Sequence, residues 1–182
     1  MEQASAKKTE SVPEPVDPPL SRFGVRQAFD LIDLLSSFGV ARAFASPAAR
    51  SRQSLTPWAS MGGGSVTLVE SLDLAASGPD AQVDAEARLG RVRAFAAERL
   101  REHAAPTVLS VTGCARDAII EEIRAYASAP VAGAEAPRLT RGQVLVAHVE
   151  HGPDGLVVAA LETHGVTTKN PAAHTRRGNK RH

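Results

Sequence analysis

Residues 17–50 read DPPLSRFGVRQAFDLIDLLSSFGVARAFASPAAR, and this stretch decides the fold. Its first half places apolar residues three and four positions apart, at Val25, Ala28, Phe29, Ile32 and Leu35. That spacing predicts an amphipathic helix, which Ser21 can cap at its start and Gly39 can end in a left-handed conformation. The run VARAFA at 40–45 then predicts a short strand.

The rest of the chain repeats this alternation of helix and strand patterns. A second helix is predicted to start near Pro47, and Pro57 ends or restarts it. Further helices are predicted over 85–102 and 116–127, and further strands over 66–69, 107–111, 143–149 and 156–161. The strand at 107–111 is interpreted as a buried one. The last two strands flank HGPDG at 151–155, which is a β-hairpin signal. We therefore expect an α/β fold: a three-layer α/β/α sandwich with a mostly parallel sheet and an antiparallel C-terminal hairpin.

The two ends of the chain differ in composition from the middle. Residues 1–18 contain Pro13, Pro15 and Pro18 and have no apolar periodicity, which predicts a disordered leader. Residues 167–182 are basic and contain no acidic residue. Such a tail can contact phosphate groups, although a solvated, disordered terminus is the simpler interpretation. One folded domain is thus predicted over 19–166.

Composition excludes several classes of protein. The 182 residues carry 21 Lys and Arg against 20 Asp and Glu, so net charge does not point to nucleic acid or to an anionic membrane. No apolar run approaches the roughly 20 residues of a membrane-spanning helix, and no signal peptide is recognisable. The single Cys114 excludes an intrachain disulfide and a multi-cysteine zinc site. We expect a cytoplasmic protein with no metal and no other cofactor.

The first candidate site is the junction ASPAAR at 45–50, where a strand ends and a helix begins. Ligands of open α/β sheets bind at the carboxyl ends of strands. A helix N-terminus together with the Arg50 guanidinium suits a phosphate or a carboxylate, with Ser46 beside it. The alternative is that Ser46 only caps the helix and that Arg50 is a solvated surface residue. The spacing of these residues leaves both interpretations open.

The second junction is Thr112-Gly113-Cys114, after the strand at 107–111. A helix dipole can lower the pKa of a thiol at such a place. Position 120 is Ile, however, whereas cysteine-dependent phosphatases have an Arg six residues after the nucleophile, so Cys114 is interpreted as a packing residue. His148, His151 and His164 are interpreted in the same way as hairpin residues rather than metal ligands.

The stretch DPPLSRFGVRQA at 17–28 and the stretch FGVARAFASPAAR at 38–50 resemble the histidine phosphatase superfamily, which includes phosphohistidine phosphatases and phosphoglycerate mutases. The family has a Pro-Leu-Thr/Ser-x-x-Gly-x-x-Gln-Ala helix, a strand, and then Ser-Pro-x-x-Arg. The next segment, SRQSLTPWA at 51–59, looks like the version fused to Nudix hydrolases in actinobacteria. RGQVLVAH at 141–148 and GLVVAALETH at 155–164 resemble the closing hairpin of that version. The resemblance implies that Arg50 corresponds to one of two arginines that hold the phosphate.

The departures from the family pattern concern its catalytic residues. The family's nucleophile is a His in an Arg-His motif on a central strand upstream of the Pro-Leu segment, but all six histidines here lie at position 103 or beyond. The family's second catalytic His corresponds to Thr112, which Gly113 follows. Its general acid corresponds to Leu74, and Asp73 lies one place away. Covalent phosphohistidine catalysis needs an imidazole nucleophile and a proton donor, which Thr112 and Leu74 cannot supply.

Three hypotheses follow from this comparison. In the first, the chain is a degenerate, non-catalytic relative that keeps a weak phosphate site at Ser46 and Arg50 and binds a phosphorylated small molecule or a protein. In the second, it is a truncated or wrongly started phosphatase whose nucleophile strand is encoded upstream of Met1. In the third, it is an interaction module in which a partner, or another copy in an oligomer, supplies the strand that the sheet lacks.

Overall fold

The computed structural model describes residues 17–62, 64–74, 84–102, 105–133, 135 and 138–165. Five helices and five strands are found in these residues: α1 (Arg22–Ser37), β1 (Arg42–Ala45), α2 (Ala49–Gly62), β2 (Val66–Leu68), α3 (Ala85–Arg101), β3 (Thr107–Ser110), α4 (Gly113–Ala125), α5 (Ala129–Ala132), β4 (Gln143–Gly152) and β5 (Gly155–Gly165). A 3₁₀ turn, Glu70–Leu72, follows β2. Of the predicted leader and tail, only Asp17 and Pro18 lie within the described residues.

Strand β1 lies in the middle of a parallel sheet with the order β2-β1-β3. Its side chains alternate between the two faces. On one face the small, buried Ala43 and Ala45 pack into a cluster with the side chains of α1 and α2, namely Leu35, Leu55 and Trp58. On the other face the ring of Phe44 meets the ring of Phe95 on α3, with centroids 5.4 Å apart. Helices therefore cover both faces of the sheet.

The second helical layer, α3 and α4, has its own core. Its buried members are all apolar: Leu72, Val92, Ala96, Ala115, Ala118 and Ile119. The half-buried Leu109 and Val111 pack against this cluster, whereas Val108 packs against the cluster on the opposite face. This division between two faces confirms the expected α/β architecture with a parallel sheet.

Strands β4 and β5 form a separate antiparallel hairpin; β4 begins as predicted and ends three residues later, and β5 is longer than predicted at both ends. The register shifts between His148 and Val149. The end of α4 holds the hairpin, since the Val158 N–H donates to the Tyr126 carbonyl at 2.8 Å and the Ser128 N–H donates to the Val158 carbonyl at 3.0 Å. Within the described residues no strand hydrogen bond joins the hairpin to the three-stranded sheet.

Helix α1 follows its sequence signals closely. The Ser21 hydroxyl accepts a hydrogen bond from the Gly24 N–H at 3.1 Å, and Gly39 adopts a φ of 63° just after the helix. Helix α2 differs from expectation because it runs through Pro57 without ending. Leu55 and Trp58 are buried on either side of this proline, and their burial offsets the cost of a proline inside a helix, which is about 3 kcal/mol.

Two other elements differ from the sequence expectations. Helix α4 begins at Gly113, three residues before the predicted start. Strand β3 is half-buried along its whole length rather than buried. The physical reason is its place at the edge of the sheet, where one side of the strand has no described neighbour.

The segment before α1 is attached to α2 by hydrogen bonds of Asp17 and of Leu20. The Asp17 carboxylate accepts from the Ala49 N–H with both oxygens, at 2.9 and 3.0 Å. The Leu20 N–H donates to the Gln53 side-chain oxygen at 2.7 Å. Asp17 therefore neutralises part of the positive end of the α2 dipole.

Leu55→Ala is expected to lower the free energy of unfolding by about 2–5 kcal/mol, because Leu55 is 2% exposed and its truncation leaves a cavity between α2 and the sheet. The measurement is urea denaturation followed by circular dichroism. Met61→Ala in the same helix is the control, since Met61 is 71% exposed and its loss is expected to change stability by no more than about 0.5 kcal/mol. Equal effects of the two substitutions would contradict the assigned core.

Asp17→Ala is expected to lower the free energy of unfolding by about 1 kcal/mol, because it removes the carboxylate from the first turn of α2. The same denaturation assay measures the change, and Asp17→Asn is expected to retain part of the stability through its amide oxygen. Asp30→Ala, at an exposed position of α1, is the control for loss of a negative charge. A loss of stability as large in Asp30→Ala as in Asp17→Ala would contradict a specific role for the Asp17 contact.

Candidate functional site

The parallel sheet gathers three chain segments at one edge, because the carboxyl ends of parallel strands lie on the same side. The segment at 46–50 follows β1, the turn at 70–74 follows β2, and Thr112 follows β3. Ligand sites of open α/β sheets are found at this edge. We refer to these three segments as the carboxyl edge. Five residues that the sequence analysis singled out lie on it, namely Ser46, Arg50, Asp73, Leu74 and Thr112, and Gly113 follows directly as the first residue of α4.

Ser46 is completely buried at the end of β1. Its N–H donates to the Ser110 carbonyl at 3.0 Å, which continues the pairing of β1 with β3 by one residue. The hydroxyls of Ser46 and of Ser51, which is 2% exposed, have no hydrogen-bond partner among the described residues. The Ser110 hydroxyl donates to the Ser51 carbonyl at 3.0 Å. These three serines tie β1, α2 and β3 together beneath the carboxyl edge.

The N-terminus of α2, the predicted anion site, is in contact with an anion from the chain itself. The Asp17 carboxylate accepts the Ala49 N–H there. The sequence analysis did not predict the contact of Asp17 with Ala49, because the two residues are 32 positions apart and no local sequence pattern indicates such a contact. Arg50 and Ser51 are the next two residues of the first helical turn. Backbone N–H groups in the first turn of a helix have no hydrogen-bond partner within that helix.

Arg50 is exposed at the start of α2. Its carbonyl accepts a hydrogen bond from the Ser54 hydroxyl at 2.8 Å. Within the described residues its guanidinium takes part in no ion pair. Helix α2 thus presents a solvated cation beside the first-turn N–H groups, which is an arrangement suited to a phosphate oxygen.

The segment after β3 adopts the expected turn. Thr112 is exposed and extended, Gly113 has a φ of 52°, and Cys114 is an exposed free thiol in the first turn of α4. Cys114 is therefore not the packing residue that the sequence suggested. The reason is that α4 starts three residues earlier than predicted, and in its first turn Ala115, which is 0% exposed, occupies the buried position instead of Cys114.

The segment after β2 contains Asp73 and Leu74, which the sequence analysis singled out. Leu74 packs against the core of α3 and α4, and Asp73 lines an open cleft of about 340 Å³ with Glu70, Ser71, Arg88 and Arg91. Sequence reasoning missed Arg88 and Arg91, because they belong to the charged face of a regular amphipathic helix and carry no motif of their own. The cleft brings cations and carboxylates together beside the turn.

The three described histidines lie on the hairpin and away from the carboxyl edge. His148 and His164 both reach the Glu162 carboxylate, at 2.6 and 3.0 Å, and both rings pack edge-on against Phe38. His151 Nε2 lies 2.8 Å from the Leu100 carbonyl. Phe38 precedes β1 and Leu100 precedes β3, so these histidines contact elements at the amino end of the sheet.

Hydrogen bonds from His164 and His148 lower the pKa of Glu162 below its ordinary value. Among the described residues no group of three or more His, Cys, Asp or Glu side chains is arranged to hold a metal ion. In the same part of the chain no helix is long and apolar enough to cross a membrane. His148 and His164 link the two hairpin strands to Phe38 at the end of α1, and His151 contacts α3.

Comparison with known proteins was made at the level of structure and of sequence. A mycobacterial glucosyl-3-phosphoglycerate phosphatase bound to inorganic phosphate has a TM-score of 0.47 and 19% identity, with 60% of this chain and 70% of that chain covered. A mycobacterial hydrolase has a TM-score of 0.47 and 19% identity, with 64% of this chain and 71% of that chain covered. No curated protein sequence matches the chain.

A family model matches the sequence directly. It is the model of the histidine phosphatase superfamily, branch 1, and the match extends from residue 3 to residue 79. This range contains the helix α1, the strand β1 and the SPAAR segment on which the sequence resemblance rests. The predicted resemblance is therefore confirmed: over residues 3–79 this chain is similar to the histidine phosphatase superfamily.

Proposed function

We propose that this chain is a non-catalytic histidine-phosphatase-like domain that binds a phosphorylated small molecule or a phosphorylated protein at the carboxyl edge. The proposal rests on one observation: Arg50 is exposed in the first turn of α2, on the edge where α/β proteins bind ligands, and the described residues there include no histidine. A cation and free N–H groups are sufficient to bind a phosphate. They are not sufficient to break its ester bond.

Binding at this site would use the Arg50 guanidinium together with the first-turn N–H groups of α2. A guanidinium can donate two parallel hydrogen bonds to a phosphate, and the helix dipole favours negative charge at the same place. The Asp17 carboxylate already accepts the Ala49 N–H and adds a negative charge nearby. We therefore expect weak affinity for phosphate alone and look to contacts outside the phosphate for most of the binding energy.

Covalent phosphohistidine catalysis would need an imidazole, and the described residues of the carboxyl edge include none. A covalent phosphohistidine intermediate requires an imidazole within reach of phosphorus, and release of the alcohol requires a proton donor. Thr112 has no basic nitrogen, and Leu74 has no acidic proton. The described histidines contact Phe38 and Leu100 at the other end of the sheet.

Arg50→Ala is expected to weaken the binding of inorganic phosphate about tenfold, because it removes a charge-assisted hydrogen bond. Binding is measured by titrating phosphate into the isotope-labelled protein and following amide resonances of residues 46–52 by NMR. Arg52→Ala is the matched control, since Arg52 is an equally exposed arginine of the same helix. Arg52→Ala should retain wild-type affinity. Unchanged affinity in Arg50→Ala would remove the phosphate site.

The purified chain is expected not to hydrolyse p-nitrophenyl phosphate above the buffer rate, because the described residues of the carboxyl edge include no imidazole and Leu74 is not an acid. Release of p-nitrophenolate, followed by absorbance, is the measurement, and Arg50→Ala should give the same background. Hydrolysis by the wild type that disappears in Arg50→Ala would contradict the non-catalytic assignment and support an active phosphatase.

A further inference from the structure

The cleft of about 340 Å³ beside the 3₁₀ turn is lined by charged side chains of both signs. One wall is the turn after β2, and the other is the start of α3. The described residues that line it are all polar: Glu70, Ser71, Asp73, Arg88 and Arg91. These residues carry two formal positive and two formal negative charges, so their charges balance. The volume lies in the range of small-molecule sites, which is about 300–1,000 Å³.

The 3₁₀ turn places its two carboxylates on one side of the chain. Residues three apart in such a turn lie one above the other, so Glu70 and Asp73 are neighbours. Leu72 lies between them in sequence, is 1% exposed and packs into the core of α3 and α4. The Leu72 N–H donates to the Val69 carbonyl at 3.1 Å, and the Asp73 N–H donates to the Glu70 carbonyl at 3.0 Å. These contacts fix the carboxylate side of the cleft.

Helix α3 supplies the two guanidinium groups of the opposite wall. Arg88 and Arg91 are three residues apart, so they are neighbours on the surface of the helix. Val92, the next residue, is completely buried in the same apolar cluster as Leu72. The two walls of the cleft are therefore anchored in one core, which holds them in a fixed relation to each other.

Two of the charges in the cleft have no partner among the described residues. Neither Arg88 nor Glu70 forms an ion pair or a side-chain hydrogen bond with the described part of the chain. Arg88 is half-buried, and removal of a charged group from water costs free energy unless a partner replaces the water. Arg91 has a long ion pair with Asp84, at 3.7 Å. The cleft thus offers an unpaired cation and an unpaired anion to a ligand.

We propose that this cleft binds a small polar α-amino acid as its zwitterion. Arg88 and Arg91 donate charge-assisted hydrogen bonds to the carboxylate of the ligand. Glu70 and Asp73 accept hydrogen bonds from its ammonium group. A ligand with one charge would satisfy one wall only, whereas a zwitterion is complementary to both walls. The site shares no residue with the phosphate site at Arg50, so it does not depend on the proposed function.

The test is an NMR titration of the isotope-labelled, full-length protein with L-serine, in which amide resonances of residues 70–73 and 88–91 are followed. L-Serine is expected to shift these resonances saturably. Two analogues each lack one charge: 3-hydroxypropionate has no ammonium group, and ethanolamine has no carboxylate. Each analogue should bind about tenfold more weakly than L-serine, because a charge-assisted interaction is lost.

Two substitutions assign the two ends of the ligand. Arg88→Gln should weaken the binding of L-serine and of 3-hydroxypropionate about tenfold and leave the affinity for ethanolamine unchanged. Glu70→Gln should weaken the binding of L-serine and of ethanolamine by a similar factor and leave the affinity for 3-hydroxypropionate unchanged. Arg93→Gln is the matched control on the same helix, because the Arg93 guanidinium pairs with Glu86 and Glu121. It should bind L-serine as the wild type does.

Three results would overturn the proposal. The first is the absence of a saturable shift at residues 70–73 with L-serine. The second is equal affinity for L-serine and both analogues, because the two charges of the ligand would then not be recognised. The third is binding of glycerol as tight as that of L-serine, because the cleft would then recognise hydroxyl groups rather than a zwitterion.

Discussion

The parallel hydrogen-bond ladder through β1 is the interaction on which the rest of the structure depends. Because β1 pairs with a strand on each side, its alternate side chains are enclosed by helices on both faces. Ala43 and Ala45 are small enough for α1 and α2 to pack closely against one face, and Phe44 meets Phe95 on the other. The same ladder brings the ends of three strands to one edge.

The chemistry of the carboxyl edge depends on which residues follow each of the three strands. After β1, Ser46 is buried in the core and Arg50 is exposed to solvent. Thr112 follows β3, and Leu74 follows the turn after β2. At this edge the Arg50 cation lies at a helix N-terminus, whereas Thr112 and Leu74 contribute a hydroxyl and an aliphatic group. Binding and catalysis are separable in this fold, because an anion needs only positive potential, whereas its hydrolysis needs a nucleophile and an acid at defined positions.

The sequence predicted best those elements whose signals are local. The apolar spacing, the Ser21 cap and Gly39 predicted α1, and the structure confirms the helix, its cap and the left-handed glycine, whereas Val25 and Phe29 of the predicted apolar face are exposed. Predictions that depend on which elements pack next to each other in space were less accurate. Pro57 does not end α2, because the burial of Leu55 and Trp58 offsets a local cost, and β3 is only half-buried, because burial depends on a neighbour that no local pattern encodes.

By itself, the sequence determined the α/β class, the family resemblance over its first part, and the identity of the residues at Arg50, Thr112 and Leu74. Periodicity and capping are properties of neighbouring residues, so they can be recognised along the chain. Only the tertiary structure decided that Asp17 contacts the N-terminus of α2 and that β3 pairs with β1 as its one described neighbour in the sheet. Both features depend on hydrogen bonds between residues far apart in the chain, and the direction of such bonds is set only when the strands and helices have packed.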